Sequence, residues 1–181
     1  MAEKMIRNRI YIAYGSNLCK QRMRERCSSA KLIGKSELEG FRLCYKRSCF
    51  GFYLSIEESP MHSVPVGLWA ITSEDEAKLD QFEGYPNYYG KHHTTINAVY
   101  NDGSTGIRTG FYYSLPDTAP FGLPTERYED ICFEGYDDFG FDENVLIDAF
   151  YYSEKMMSGE KKPNEWKKMA SNARIYKGGM I

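Results

Sequence analysis

The stretch Tyr11-Ile12-Ala13-Tyr14-Gly15-Ser16-Asn17-Leu18 constrains this chain more than any other. Its first half alternates and is aromatic, which predicts a short strand ending at Tyr14. Gly-Ser-Asn breaks that strand, and a helical run, Leu18 to Arg26, begins at once. A strand that turns straight into a helix leaves several backbone N–H groups without partners, all aimed one way. Such a turn suits an anion or a polarised carbonyl. Gly15 permits close approach of a ligand and unusual φ values. Ser16 and Asn17 offer short side chains that cap the helix or touch the ligand. The same residues equally describe a plain junction with Asn17 as N-cap.

Downstream, Ala30 to Lys46 reads as extended structure interrupted at Gly40, and Phe50 to Ile56 as a strand. Pro60 to Ser63 predicts a turn. Val64 to Ile71 reads as a buried strand, with Gly67 a bulge or close-packing point. Ser73-Glu74-Asp75-Glu76 predicts a capping box, Ser73 as N-cap and Glu76 three residues on. That helix is expected to stop at Gly84-Tyr85-Pro86. Glu83 then sits at a helix C-terminus, where the dipole disfavours a carboxylate, so burial there raises its pKa. Tyr88 to Tyr100 and Ile107 to Leu115 read as a hairpin turned at Asn101-Asp102-Gly103. Thr125 is expected to cap a helix with Tyr128, Ile131, Cys132 and Gly135 on one face. Asp142 is expected to cap the next helix, with Val145, Leu146, Ala149 and Phe150 as its apolar side. His92 and His93 are adjacent on a strand and so face opposite sides.

At 181 residues, with 42% hydrophobic and 27% charged content, the chain is long enough for one ordinary domain with a real core. Fifteen tyrosines predict a core or cleft rich in rings with polar tips. A net charge of −2 argues against nucleic-acid or charge-driven membrane partners. No apolar run approaches the ~20 residues of a membrane span. The segment Met1 to Arg9 has no apolar signal region, and five irregularly spaced cysteines suit reduced thiols, so a cytoplasmic protein is expected. Glu126 to Asp148 is strongly acidic, whereas residues 153–181 are basic. The chain is therefore read as a domain over 1–152 and a basic extension over 153–181, which either packs on the acidic helices or frays.

Two further segments accompany the opening stretch, in order: Leu79-Asp80-Gln81-Phe82-Glu83-Gly84-Tyr85-Pro86 and Pro124-Thr125-Glu126-Arg127-Tyr128. Together the three resemble the signatures of the γ-glutamylcyclotransferase-like family, which includes AIG2-like proteins. The resemblance covers roughly residues 9–152. It implies an α+β fold, a mixed, curled, barrel-like sheet with flanking helices and a cleft at one end. It implies an enzyme that cyclises the γ-glutamyl group of an amide, peptide or amine to 5-oxoproline and releases the amine. Glu83 matches the family's catalytic glutamate. Residues Tyr11, Ile12, Ala13, Tyr14, Gly15, Ser16 and Asn17 match its substrate cradle, which holds either the carboxylate or the oxyanion. Tyr128 matches its substrate-contacting tyrosine. Tyr89 and Tyr113 lie where the family places further cleft tyrosines, though Tyr112 leaves that register open by one.

That reaction requires a folded substrate, a base for the ammonium proton and an acid for the leaving amine. One carboxyl serves both roles if its pKa lies near working pH. No metal or cofactor is called for. The expected partner is a small γ-glutamyl compound, not nucleic acid or membrane, with the chain a monomer or weak homodimer. A glutathione-like peptide, a γ-glutamyl-amine or an antibiotic intermediate all remain open as substrate. The alternative is a family member that binds a small metabolite or a partner without catalysis.

Overall fold

The computed structural model describes residues 9–159. Five strands, β1 (Arg9–Ala13), β2 (Lys31–Arg47), β3 (Phe52–Ile71), β4 (Gly90–Tyr100) and β5 (Thr105–Ser114), close into a barrel. The order round it is β1-β3-β2-β4-β5. Most neighbours are antiparallel; β1 meets β5 in parallel, Tyr11 opposite Phe111, and this contact closes the ring. Four helices flank it: α1 (Lys20–Arg26), α2 (Ser73–Glu83), α3 (Glu126–Phe139) and α4 (Asn144–Met157). The expected α+β barrel is therefore the observed fold. No helix among the described residues is long and apolar enough to cross a membrane.

The turn expected at Pro60–Ser63 is instead part of β3, which runs unbroken from Phe52 to Ile71. Its ladder with β2 shifts register between Glu39↔Ser63 and Phe41↔Glu58, so residues 59–62 oppose the single Gly40 at φ +79°. Pro60 thus falls where the ladder asks for no N–H donor. β4 begins at Gly90, so Tyr88 and Tyr89 belong to the preceding loop. Asn101–Gly103 does turn the β4–β5 hairpin, with Gly103 at φ +83°.

The α2 capping box is present one residue earlier than the spacing suggests. Thr72 Oγ1 accepts from the Asp75 amide (3.2 Å), and Asp75 accepts from the Thr72 amide (3.3 Å). The Ser29 hydroxyl also donates to Asp75, a distant partner that favours this register over Ser73 with Glu76. Glu76 pairs with Arg9 and Lys91 instead. Thr125 caps α3 as expected, accepting from the Tyr128 amide. Asp142 accepts from the Asn144 amide (3.0 Å), but Glu143 occupies the N-cap position of α4 without a side-chain bond. α4 continues to Met157, past residue 152. The start of the chain and most of the basic extension, residues 160–181, lie outside the described residues.

Two close approaches set the position of the opening turn. A Cβ on Gly67 of β3 would stand 2.4 Å from Phe139 Cζ and 2.8 Å from Leu18 Cδ2. A Cβ on Gly135 of α3 would stand 2.7 Å from the Cys19 nitrogen. Both glycines let α3 press the segment after Tyr14 onto the barrel, as the sequence suggests for each.

Candidate active site

β1 ends at Ala13, and Ser16–Leu18 form one turn of 3-10 helix before α1. No side chain caps that turn. Among the described residues, the amides of Gly15, Ser16 and Asn17 have no bonded acceptor. Gly15 is at φ −122°, outside the left-handed region. A Cβ there would touch Leu54 Cβ and the Tyr128 hydroxyl, each at 3.5 Å. Its missing side chain leaves that space open to a ligand.

The turn opens into a cavity of about 390 Å³. Tyr11, Tyr14, Gly15, Ser16, Asn17, Glu83, Tyr89, Tyr113 and Tyr128 all line it. Ile12 and Ala13 do not. Strand alternation turns Ile12 away from Tyr11, and it packs under Gly110. Ala13 sits in the β1–β3 ladder opposite Gly67, fully buried. The Tyr112/Tyr113 register is resolved: Tyr112 stacks on His92 at 5.3 Å, while Tyr113 faces the cavity. The Tyr113 hydroxyl is spent on Asp80 (2.6 Å).

Glu83 is the last residue of α2, and Gly84 in the left-handed region (φ 67°) ends the helix there. Lys91 holds α2 against β4 by pairing with both Asp80 (2.6 Å) and Glu76 (2.8 Å). Asn17 is buried at 3% exposure and links the parts rather than capping a helix. Its Nδ2 donates to the Tyr11 hydroxyl (2.8 Å) and to Glu83 Oε1 (3.3 Å), and its Oδ1 accepts from Arg26. Arg26 also donates to Ser16 Oγ (3.3 Å) and lies over the Phe82 ring at 3.6 Å.

Burial pushes the Glu83 carboxyl from its ordinary 4.5 up to about 7. Arg26 and the Asn17 hydrogen bond pull the other way and lose. Desolvation, rather than the helix end, is the main cause. Burial likewise pushes the hydroxyls of Tyr11, Tyr14, Tyr89 and Tyr128 well up, so at neutral pH they serve as hydrogen-bond partners, not bases. Tyr14 donates to the Tyr113 carbonyl (2.5 Å), and Tyr128 accepts from the Leu54 amide (3.2 Å). Among the described residues no three His, Cys, Asp or Glu side chains converge on a point that could hold a metal.

Sequence reasoning missed Arg26, Phe50, Tyr53 and Tyr88, all of which line the cavity. Arg26 stands among Arg22 and Arg24 in a basic helix, and nothing local sets it apart. Phe50 sits in the β2–β3 turn, whose approach to the cavity depends on barrel closure.

An enclosed carboxyl that titrates near neutrality therefore faces a turn of open amides across a small cavity. The family profile described as gamma-glutamyl cyclotransferase, AIG2-like, matches residues 11–131. The chain belongs to that family. Among solved structures it is similar to the human uncharacterized protein LOC79017 (TM-score 0.62, 24% identity, covering 86% of this chain and 89% of that one). It is also similar to a protein described as gamma-glutamyl cyclotransferase (0.61, 22%, 86% and 89%) and to YkqA of Bacillus subtilis (0.62, 15%, 86% and 56%). At these identities the likeness concerns the fold. No curated protein matches the sequence.

Proposed function

We propose that this protein cyclises the γ-glutamyl group of a small γ-glutamyl amide, releasing 5-oxoproline and the free amine, with Glu83 as base and then acid. One observation carries the reading: Glu83 and the turn after Tyr14 share one cavity, 3.3 Å apart through Asn17. The substrate's α-ammonium gives a proton to Glu83, and the freed amine attacks its own γ-carbonyl. A C–N bond forms in the five-membered ring. Glu83 then returns the proton to the leaving nitrogen as the amide C–N bond breaks, and the second proton shed by the ring nitrogen passes through Glu83 to the released amine, which departs as an ammonium. Folding the substrate inside the cavity supplies proximity, and the Gly15–Asn17 amides stabilise negative charge, on the carboxylate or on the oxyanion. A carboxyl near 7 suits both proton transfers. All five cysteines are free, which supports a reducing, cytoplasmic setting.

The test is 5-oxoproline release from a panel of γ-glutamyl compounds by the wild type and by Glu83→Gln. Wild type is expected to turn over at least one member, and the variant to lose about 10³-fold in rate. No release from any compound, with wild type and variant alike, favours the reading of a binding protein without catalysis.

A further inference from the structure

Ten large hydrophobic side chains are well exposed among the described residues, and three of them meet at the cavity. Phe50 (88% exposed) comes from the β2–β3 turn, Phe82 (53%) from the last turn of α2, and Tyr88 (48%) from the loop before β4. Two stretches distant in sequence, the β2–β3 turn and the α2–β4 connection, thus bring three bare rings to one mouth. Two of the rings are held in place. Phe82 lies against the Arg26 guanidinium. Tyr88 lies so close over Gly84 that a Cβ there would be 2.5 Å from Tyr88 Cδ2. Exposed aromatic surface is unfavourable in water, so rings gathered at a cavity mouth mark a place for an apolar ligand group.

Charge at the same mouth narrows the choice. Arg26 and Glu83 are the charged residues lining the cavity. Glu83 is committed to proton transfer, and Arg26 to Asn17, Ser16 and the Phe82 face. Among the described residues, neither a second cation for a peptide carboxylate nor a second acid for an ammonium lines the cavity. At about 390 Å³ it is near the small end of ligand sites, enough for a glutamyl group with one ring beyond it.

Resting on the function proposed above, we infer that the substrates are γ-glutamyl amides of aromatic or bulky apolar amines. The leaving amine stacks within the Phe50, Phe82 and Tyr88 rim while the glutamyl part sits at the Gly15–Asn17 turn. Peptides ending in a carboxylate and conjugates of diamines are the poorer substrates.

A matched set tests this: γ-glutamylbenzylamide, γ-glutamylglycine and the γ-glutamyl conjugate of 1,5-diaminopentane. The readouts are kcat/KM for 5-oxoproline release and, on Glu83→Gln, Kd by calorimetry. The benzylamide is expected to lead by about tenfold in both, through KM rather than kcat. Phe50→Ala, at a residue exposed enough that Tm should hold, is expected to bring the ratio toward one by raising KM for the benzylamide. Equal or better binding and turnover of the glycine or diamine compound overturns the inference while leaving cyclisation intact. So does an unchanged ratio in Phe50→Ala, as for a rim that instead docks a protein. If no compound is cyclised, the function above fails, and the calorimetric ranking still decides the rim: benzylamide first upholds it, no preference overturns it.

Discussion

Glu57 and Glu83 lie in one barrel domain, and the fold treats them in opposite ways. Glu57 on β3 is 3% exposed and closely partnered: Lys46 Nζ is 3.3 Å away, and the Tyr152 hydroxyl of α4 donates to it. Lys46 is itself fully buried and donates to the Asp117 carbonyl (3.2 Å). This cluster fastens α4 and the loop before α3 to the barrel, and neither residue lines the cavity. Glu83 has one amide bond at 3.3 Å and open space before it. Its counter-charge, Arg26, is bonded to Asn17 and Ser16. A buried carboxylate with an adjacent cation holds structure together. One left short of partners beside a cavity keeps its proton to higher pH.

One substitution made at both positions is the strongest way to break this comparison. Glu57→Gln leaves Lys46 buried without its carboxylate, and is expected to cost about 3–5 kcal/mol of stability by denaturant unfolding. Glu83→Gln is expected to do the reverse. A carboxyl that ionises near 7 in the folded chain and near 4.5 when unfolded holds its proton longer in the fold. Wild type therefore loses stability as pH rises from 4.5 through about 7, and the loss is complete above 7. Glu83→Gln removes that penalty. It is expected to exceed wild type by about 3 kcal/mol at pH 8 and to match it near pH 4. Two destabilised variants at pH 8 would place both glutamates in the same structural class. The smallest effect sharpens the contrast: Asn17→Ala removes a bond that favours the ionised form of Glu83. Its apparent pKa should rise, and kcat/KM at neutral pH should fall about tenfold.

The parts legible in the sequence are those written within a few residues. The Tyr14–Asn17 break, the stop at Gly84, the Thr125 cap and the tight packing at Gly67 and Gly135 each depend on local chemistry. What depended on distant residues was read less well. Thr72 displaced Ser73 as the cap of α2 with help from Ser29. Ile12 and Ala13 were carried along with a motif whose alternation turns one away and leaves the other in the ladder. Arg26 and the aromatic rim become visible only when residues 11 and 111 meet and close the barrel.

The most direct measurement is kcat/KM for 5-oxoproline release across pH 5 to 9, on the best γ-glutamyl amide. Wild type is expected to show an ascending limb with an apparent pKa near 7, the value at which Glu83 loses its proton, and the residual activity of Glu83→Gln is expected to lack it. A wild-type profile flat through neutrality, or the same limb in Glu83→Gln, would contradict Glu83 as the base.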